Sequence, residues 1–391
     1  MADITLLSTA DWDHPLWTNK QHVACALADL GQRVLYVESL GLRPLRAARP
    51  GAKADGRRVL RRLRNGLAPP RRVRSNVWVW SPLVLPGAHR GLARLLNRLA
   101  LGFGLALVQW GLGFRRDCLW TYNPMTLAVL SVGRYRQVVY HCVDAIQSQP
   151  DMPAEEISRW EEQLCRRADA VFVTSPQLLA DLAPFNNRTR FYPNVADGQH
   201  FARAMDPALS LPADLAAIPV PRLGFIGAVS GYKLDLSLLA QLARQHPHWS
   251  LVLVGPVGEG DPGTDVSELE ELPNVHLLGQ RPYGSLPAYL KGFDVALLPL
   301  RFNAYTQAMF PMKFFEYLAA GRPVVASSID ALQPFADLAL LVEPRIEPFT
   351  AAIQMALQGE GPDLAQRLAG AARHTYRSRT AAMLADLAAA D

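Results

Sequence analysis

Short β-branched or aromatic runs alternate along this chain with segments of helical periodicity. That alternation restricts it to parallel sheets flanked by helices. In the first half the strand candidates are Ile4–Ser8, Arg33–Glu38, Asn76–Ser81, Cys118–Thr121, Gln137–Cys142 and Ala170–Thr174, with helical patterns over Asn19–Leu30 and Ala154–Ala168. Between Phe201 and Arg222 the rhythm stops, and Pro207, Pro212, Pro219 and Pro221 fall among short apolar fragments. Such a stretch predicts a linker. The alternation then restarts, with strands expected at Leu223–Gly227, Ser250–Val254, Val275–Gly279, Val295–Pro299 and Pro323–Ser327. Helices are expected at Leu234–Gln245, Leu286–Lys291, Met312–Ala320 and Pro348–Leu357, and Leu364–Leu387 reads as one Ala- and Leu-rich helix.

A chain of 391 residues has the length for two such domains. The expected division is an N-terminal Rossmann-like domain over 1–205, a linker over 206–220 and a C-terminal Rossmann-like domain over 221–391. The last helix is expected to pack back on the N-terminal domain. Two doubly wound α/β domains face a cleft, and ligands of open α/β sheets bind beyond the carboxyl ends of the strands.

The segment FPMKFFEYLAAGRPVVAS, Phe310 to Ser327, carries the densest signal. Pro311 suits a first helical position and Gly321 a helix end. Lys313 and Glu316 are three apart and share a face of that helix near its N-terminus, where an anion is favoured. The plain reading of a Lys-x-x-Glu is a surface ion pair.

This segment resembles the nucleotide-sugar motif of family-four-type glycosyltransferases (glycosyl transferases group 1) of the GT-B fold. The resemblance implies that Glu316 holds the donor's ribose and Lys313 its diphosphate. It extends over Leu223–Gly227 with Tyr232-Lys233, where Gly227 and the diphosphate-binding Lys233 match. It continues through Leu251–Pro256, Asn274–Gly279 with Tyr283, Leu286–Leu290 and Phe293–Leu300. Two positions depart from the family pattern. Ala308 stands where a glutamate usually contacts the donor sugar, and Ala228 stands where an arginine often follows the first glycine. Asn303, Tyr305 and Thr306 of the preceding loop, together with Met312, complete the expected donor set.

In the first half, Val138–Asp144 reads as a strand running into a loop, which puts Asp144 at a strand's carboxyl end. Asp144 is the expected general base toward an acceptor hydroxyl, with His141 as a rival. The Tyr140-x-x-x-Asp144 spacing also resembles the xanthan-type glucuronosyltransferases, which are inverting enzymes. Trp12, Asp13 and His14 follow the first strand and are the expected acceptor contacts. Asp11-Trp12-Asp13 is a D-x-D, but the resembled fold needs no metal, and none is expected. A nucleotide diphosphate sugar serves as co-substrate.

The charge is unevenly spread. The first 116 residues hold 19 Lys and Arg against 6 Asp and Glu, a net +13, while the whole chain is only +5. Arg43–Arg74 holds 12 of these cations against Asp55 alone. From Leu92, the residues Leu95, Leu96, Leu99 and Phe103 recur at helical spacing opposite Arg90, Arg94 and Arg98, and Trp110 lies near the segment's end. Basic amphipathic helices lie in the plane of anionic membranes. Leu99–Phe114, 16 uncharged residues, is shorter than the roughly 20 a spanning helix needs. No signal peptide is expected. Cys25, Cys118, Cys142 and Cys165 form no C-x-x-C and fit buried, reduced thiols.

Together these features predict transfer of a sugar, from a UDP-sugar by preference, to a hydroxyl of a lipid-linked glycan in bacterial surface or exopolysaccharide synthesis. The enzyme is expected to be cytoplasmic and peripheral on the inner face of the cell membrane, held there by 43–74 and helix 90–110. No nucleic-acid partner is expected. The other readings are a GT-B nucleotide-sugar epimerase and a non-enzymatic basic membrane-binding protein. A nicotinamide dehydrogenase lacks support, because no G-x-G-x-x-G follows the first strand.

Overall fold

The alternating runs become two separate sheets in the structure, a computed structural model that describes residues 1–14, 17–40, 66, 68–84, 91–149, 152–259, 261 and 263–389. The first sheet comprises β1 (Asp3–Leu7), β2 (Arg33–Val37), β3 (Arg71–Arg74), β4 (Val77–Trp80), β5 (Cys118–Thr121), β6 (Gln137–Cys142), β7 (Ala170–Val173) and β8 (Thr189–Phe191). The second comprises β9 (Arg222–Ile226), β10 (Ser250–Val254), β11 (Val275–Gly279), β12 (Val295–Leu298), β13 (Val324–Ser327) and β14 (Leu340–Val342).

The strand orders are β3-β4-β2-β1-β5-β6-β7-β8 and β11-β10-β9-β12-β13-β14. Every pairing is parallel except β3 with β4. In each sheet the order reverses direction at the first strand of the unit, β1 or β9, the switch point of a doubly wound fold. The central strands are buried throughout, as continuous Val, Ile and Leu runs require of strands covered on both faces.

The described chain forms two compact units. One draws on Met1–Thr174, Leu178–Tyr192 and Thr380–Asp391, the other on Ser175–Gln177 and Pro193–Arg379. The stretch 206–220, expected as a linker, lies within the second unit. Leu215 and Ile218 are buried in its core there, and Arg222 Nε donates to the Ile218 carbonyl at 2.8 Å. The single helix expected over Leu364–Leu387 is two, Leu364–Arg373 and Tyr376–Ala388. Thr375 interrupts it, because its Oγ1 accepts from the Ser378 backbone N–H at 3.1 Å and so caps a new helix.

In the second unit the backbones leave β9 and β10 at very close approach. Gly255 has φ +155°, and a Cβ there would overlap the carbonyl oxygen of Gly227. Gly224, in the middle of β9, instead makes room for the ring of Phe293. The ends of β9 and β10 therefore require glycine, and they bring main chain rather than side chains to the carboxyl edge of the sheet.

All four cysteines are buried and carry no disulfide. Burial pushes the Cys118 thiol up to about 12.

Candidate active site

The second unit gathers the expected donor residues around two loops. After β9 the chain turns through Tyr232 and Lys233. The Lys233 ammonium lies 5.1 Å from the Tyr232 ring centroid and 5.5 Å from that of Tyr305, a cation–π clamp that fixes its direction. Arg301, which sequence reasoning did not single out, sits beside it. Its backbone N–H donates to the Lys233 carbonyl at 2.9 Å and its guanidinium to the Gly231 carbonyl at 3.0 Å.

Asn303, Tyr305 and Thr306 build this loop. Asn303 Oδ1 accepts from the backbone N–H of Tyr305 and of Thr306, each at 3.0 Å, while its Nδ2 donates to the Tyr232 carbonyl at 2.7 Å. Thr306 is buried, and its hydroxyl donates to the Arg301 carbonyl. The side chains of Asn303 and Thr306 are thereby engaged in a capping box, and Tyr305 packs its ring at 5.1 Å from Tyr232. These three residues shape the loop that holds Lys233 and Arg301.

The Lys313–Ala319 helix supplies the second half of the site. Lys313 Nζ donates to Glu316 Oε2 at 2.7 Å. Glu316 is only 3% exposed while the Lys313 side chain keeps 25% of its surface exposed, so a buried carboxylate meets a half-buried ammonium rather than forming the fully solvated pair of the plain reading. Tyr317, the next residue, anchors the helix to the sheet: its hydroxyl accepts from the Ile226 N–H at 2.8 Å. Around the pair stand Phe201, whose ring centroid is 6.0 Å from Lys313 Nζ, and the stack of Tyr283 on His200, 4.2 Å apart and nearly parallel. His200 Nε2 meets the Tyr283 carbonyl at 3.0 Å. Burial lowers the pKa of His200, and burial raises that of Tyr283 with the Glu316 charge adding to it. His200 was not legible as a site residue because it stands 116 residues before Glu316 in the sequence. Gly227 ends the neighbouring strand, its N–H donating to the Val254 carbonyl at 2.9 Å, and Met312 immediately precedes the helix.

In the first unit, Asp144 lies two residues beyond β6 and is half-buried. Its carbonyl accepts from the Ile146 N–H at 2.9 Å and takes a weak 3.7 Å contact from Cys142 Sγ, which ties the loop to the strand end. His141 is fully buried. Trp120 Nε1–H donates to its Nδ1 at 3.3 Å, and its ring stacks 4.8 Å from Tyr122, so this residue is core-facing. Beneath the loop, Tyr140 donates to Glu161 at 2.5 Å, and burial raises the pKa of Glu161.

Of the expected acceptor contacts, Trp12 is 7% exposed and packs edge-on against Trp17 and Tyr36, at 5.2 and 5.1 Å. Its burial leaves it a structural part of the loop. Asp13 and His14 are exposed, with Asp13 paired to Arg71. Glu38, missed from sequence, fixes this loop: its carboxylate accepts from the Trp12 N–H at 2.8 Å and from the Ser81 hydroxyl.

Residues 220–359 match the model of the family described as Glycosyl transferases group 1. Over this segment the chain is similar to group 1 glycosyltransferases. The segment contains Lys233, Arg301, Lys313 and Glu316, the polar groups just described. The chain is also 31% identical over 228 residues to a Bacillus subtilis (strain 168) protein named as a teichuronic acid biosynthesis glycosyltransferase. That alignment spans 55% of this chain and about half, 56%, of the relative. Among solved structures, sucrose-phosphate synthase from Thermosynechococcus elongatus superposes with a TM-score of 0.66 at 20% identity, over 100% of this chain and 97% of the other. Anabaena HepE in complex with UDP gives 0.65 at 16% identity over 100% of both chains. The E. coli trehalose-6-phosphate structure bound with UDP-2-fluoro glucose gives 0.67 at 16% over 99% of both. These likenesses concern the fold, which is the GT-B pair of Rossmann-like units that the group 1 resemblance implied.

The Gly91–Gly111 helix belongs to the first unit. By length and composition it is long and apolar enough to cross a membrane. One stripe of it, however, is fastened to the unit. Asn97, Leu101, Leu105 and Gln109 are buried, and Gln109 Nε2 donates to Thr5 Oγ1 and to the Tyr135 hydroxyl, each at 3.0 Å. The residues expected to form its apolar face, Leu95, Leu96, Leu99 and Phe103, are 50–68% exposed, and Trp110 is 84% exposed. The basic run 43–74 falls mostly outside the described residues, as does Arg90, but the end of the run forms β3.

Proposed function

We propose that the chain transfers a sugar from a nucleoside diphosphate sugar, UDP-sugar by preference, to a hydroxyl of a lipid-linked glycan during cell-surface polysaccharide synthesis. The Lys313–Glu316 pair, with its buried carboxylate in the segment similar to group 1 glycosyltransferases, carries this reading. Taking the Glu316 carboxylate out of water is costly unless it is well paired, and Lys313 supplies that partner while its own side chain still reaches solvent. UDP in the Anabaena and E. coli neighbours supports the choice of nucleotide. The Bacillus relative's name supports a surface polysaccharide.

In the proposed reaction Glu316 accepts hydrogen bonds from the ribose hydroxyls. Lys313 turns from Glu316 to the diphosphate, joined by Lys233 and Arg301. The bond from the anomeric carbon to the diphosphate oxygen breaks, and these cations stabilise the negative charge that develops on the leaving group. Asp144 takes the acceptor's proton as the new glycosidic bond forms. The reaction uses no metal. His14 and Asp13 are the exposed groups of the acceptor loop, and the enzyme works at the cytoplasmic face of an anionic membrane.

A panel of nucleotide sugars screened by thermal shift tests this, followed by NMR of the product anomer. The true donor raises Tm by mass action. Absence of stabilisation by any nucleotide sugar counts against the assignment.

A further inference from the structure

The Gly91–Gly111 helix presents an apolar crest and, beside it, a basic groove that the donor site does not use. The crest runs through Leu95, Leu99, Phe103 and Trp110. Two hollows flank it, with cavity volumes of about 580 and 350 Å³, and they share Arg98, Leu130 and Ser131. Arg94, Arg98, Arg166 and Arg167 line the larger, while Arg116 and Arg134 join Arg98 in the smaller. Among the described residues, no Asp or Glu lines either one.

Some of these cations are engaged. Arg166 pairs with Glu162 at 2.8 Å, Arg116 Nε donates to Gln109 Oε1 at 3.0 Å, and Arg94 lies 5.7 Å from the Trp160 ring centroid. Among the described residues, neither Arg98 nor Arg134 has a hydrogen-bond or ion-pair partner. Six guanidinium groups thus gather beside exposed leucine and aromatic side chains.

We propose that this groove grips the phosphate of an anionic lipid headgroup while the crest enters the bilayer interface, so that the helix lies flat on the membrane. Guanidinium forks match phosphate oxygens, and apolar side chains next to cations suit the headgroup–acyl boundary. A nucleic acid would satisfy the arginines but leave the crest in water. The buried Asn97–Gln109 stripe keeps the helix attached to its sheet and prevents it from spanning. The proposal rests on the membrane-facing part of the functional reading and is independent of sugar transfer.

The test is flotation of the full chain with phosphatidylcholine vesicles, with and without phosphatidylglycerol. Binding is expected on the anionic vesicles alone. Arg98→Gln with Arg134→Gln weakens it about 30-fold, the effect of two cations near an anionic surface. The Lys pair, R98K with R134K, restores only part of it. Phe103→Ser also weakens it, and Arg190→Gln, on edge strand β8, leaves it unchanged. Equal binding to neutral vesicles overturns the proposal. So does full rescue by the lysine pair together with a loss in Arg190→Gln, which would mean diffuse charge. Complete competition by inorganic phosphate, meaning a free-phosphate site, overturns it as well, as does binding of RNA in place of vesicles. UDP titration of the same variants reads the donor site separately. Unchanged circular dichroism and thermal melts show that the variants are folded, and failure of the wild-type chain to bind UDP would sink the functional reading while leaving the vesicle result standing.

Discussion

Lys313 Nζ stands 2.7 Å from Glu316 Oε2, and the glutamate is 3% exposed. The buried carboxylate therefore depends on the half-exposed ammonium. Lys313→Ala strands a buried carboxylate and should cost about 1–3 kcal/mol. Lys313→Ala in a Glu316→Gln background should cost less, because the neutral amide needs no counter-charge. Chemical denaturation of the four proteins in the cycle measures the coupling, expected at about 0.5–3 kcal/mol. Additive losses would mean that the two side chains do not interact.

Burial lowers the folded-state pKa of His200, and His246 and His276 shift the same way for the same reason. The folded chain therefore takes up protons less readily than the unfolded one. This contribution to stability is complete above the ordinary histidine pKa near 6.5 and is lost as the pH falls through it. Tm should decline from pH 7 toward pH 5, and His200→Gln should reduce the slope. A slope that His200→Gln leaves unchanged would assign the effect to the other histidines.

Gly255→Ala should destabilise by about 3 kcal/mol or more, because the new Cβ meets the Gly227 carbonyl and neither strand end can retreat. Gly284→Ala, with nothing within 4 Å of the added carbon, should stay within about 0.5 kcal/mol. Thermal melts of the two variants side by side check this contrast.

Asp144→Asn should keep the fold and the affinity for UDP while lowering the transfer rate by about 100- to 10,000-fold. Steady-state kinetics with the identified donor decide the point. Turnover near the wild-type rate would exclude Asp144 as the base.

The alternation of the sequence was enough to place the inner strands and the edge strand β11, and β5, β6, β10 and β11 fall at their expected bounds. The strands it did not reveal are edges. β3 is Arg-Arg-Val-Arg, and its charges mask any strand signal, while β8 and β14 are three residues long and carry no period. In the site, Lys233, Lys313 and Glu316 were legible because one motif holds each of them. Glu38 and His200 were not, since they act on loops distant in sequence. Asn303 and Thr306 carried a local signal that was read as ligand chemistry, yet their three-residue spacing is that of a capping box. On the Gly91–Gly111 helix, the buried stripe includes Asn97 and Gln109, polar residues that a search for apolar periodicity passes over.

Calorimetric titration of UDP into the full chain tests the central claim most directly. The account predicts one site per chain, an affinity reduced at least tenfold by Lys313→Ala and by Glu316→Ala, and no change in Asp144→Asn. Absence of UDP binding, or binding that both second-unit variants retain in full, would contradict it.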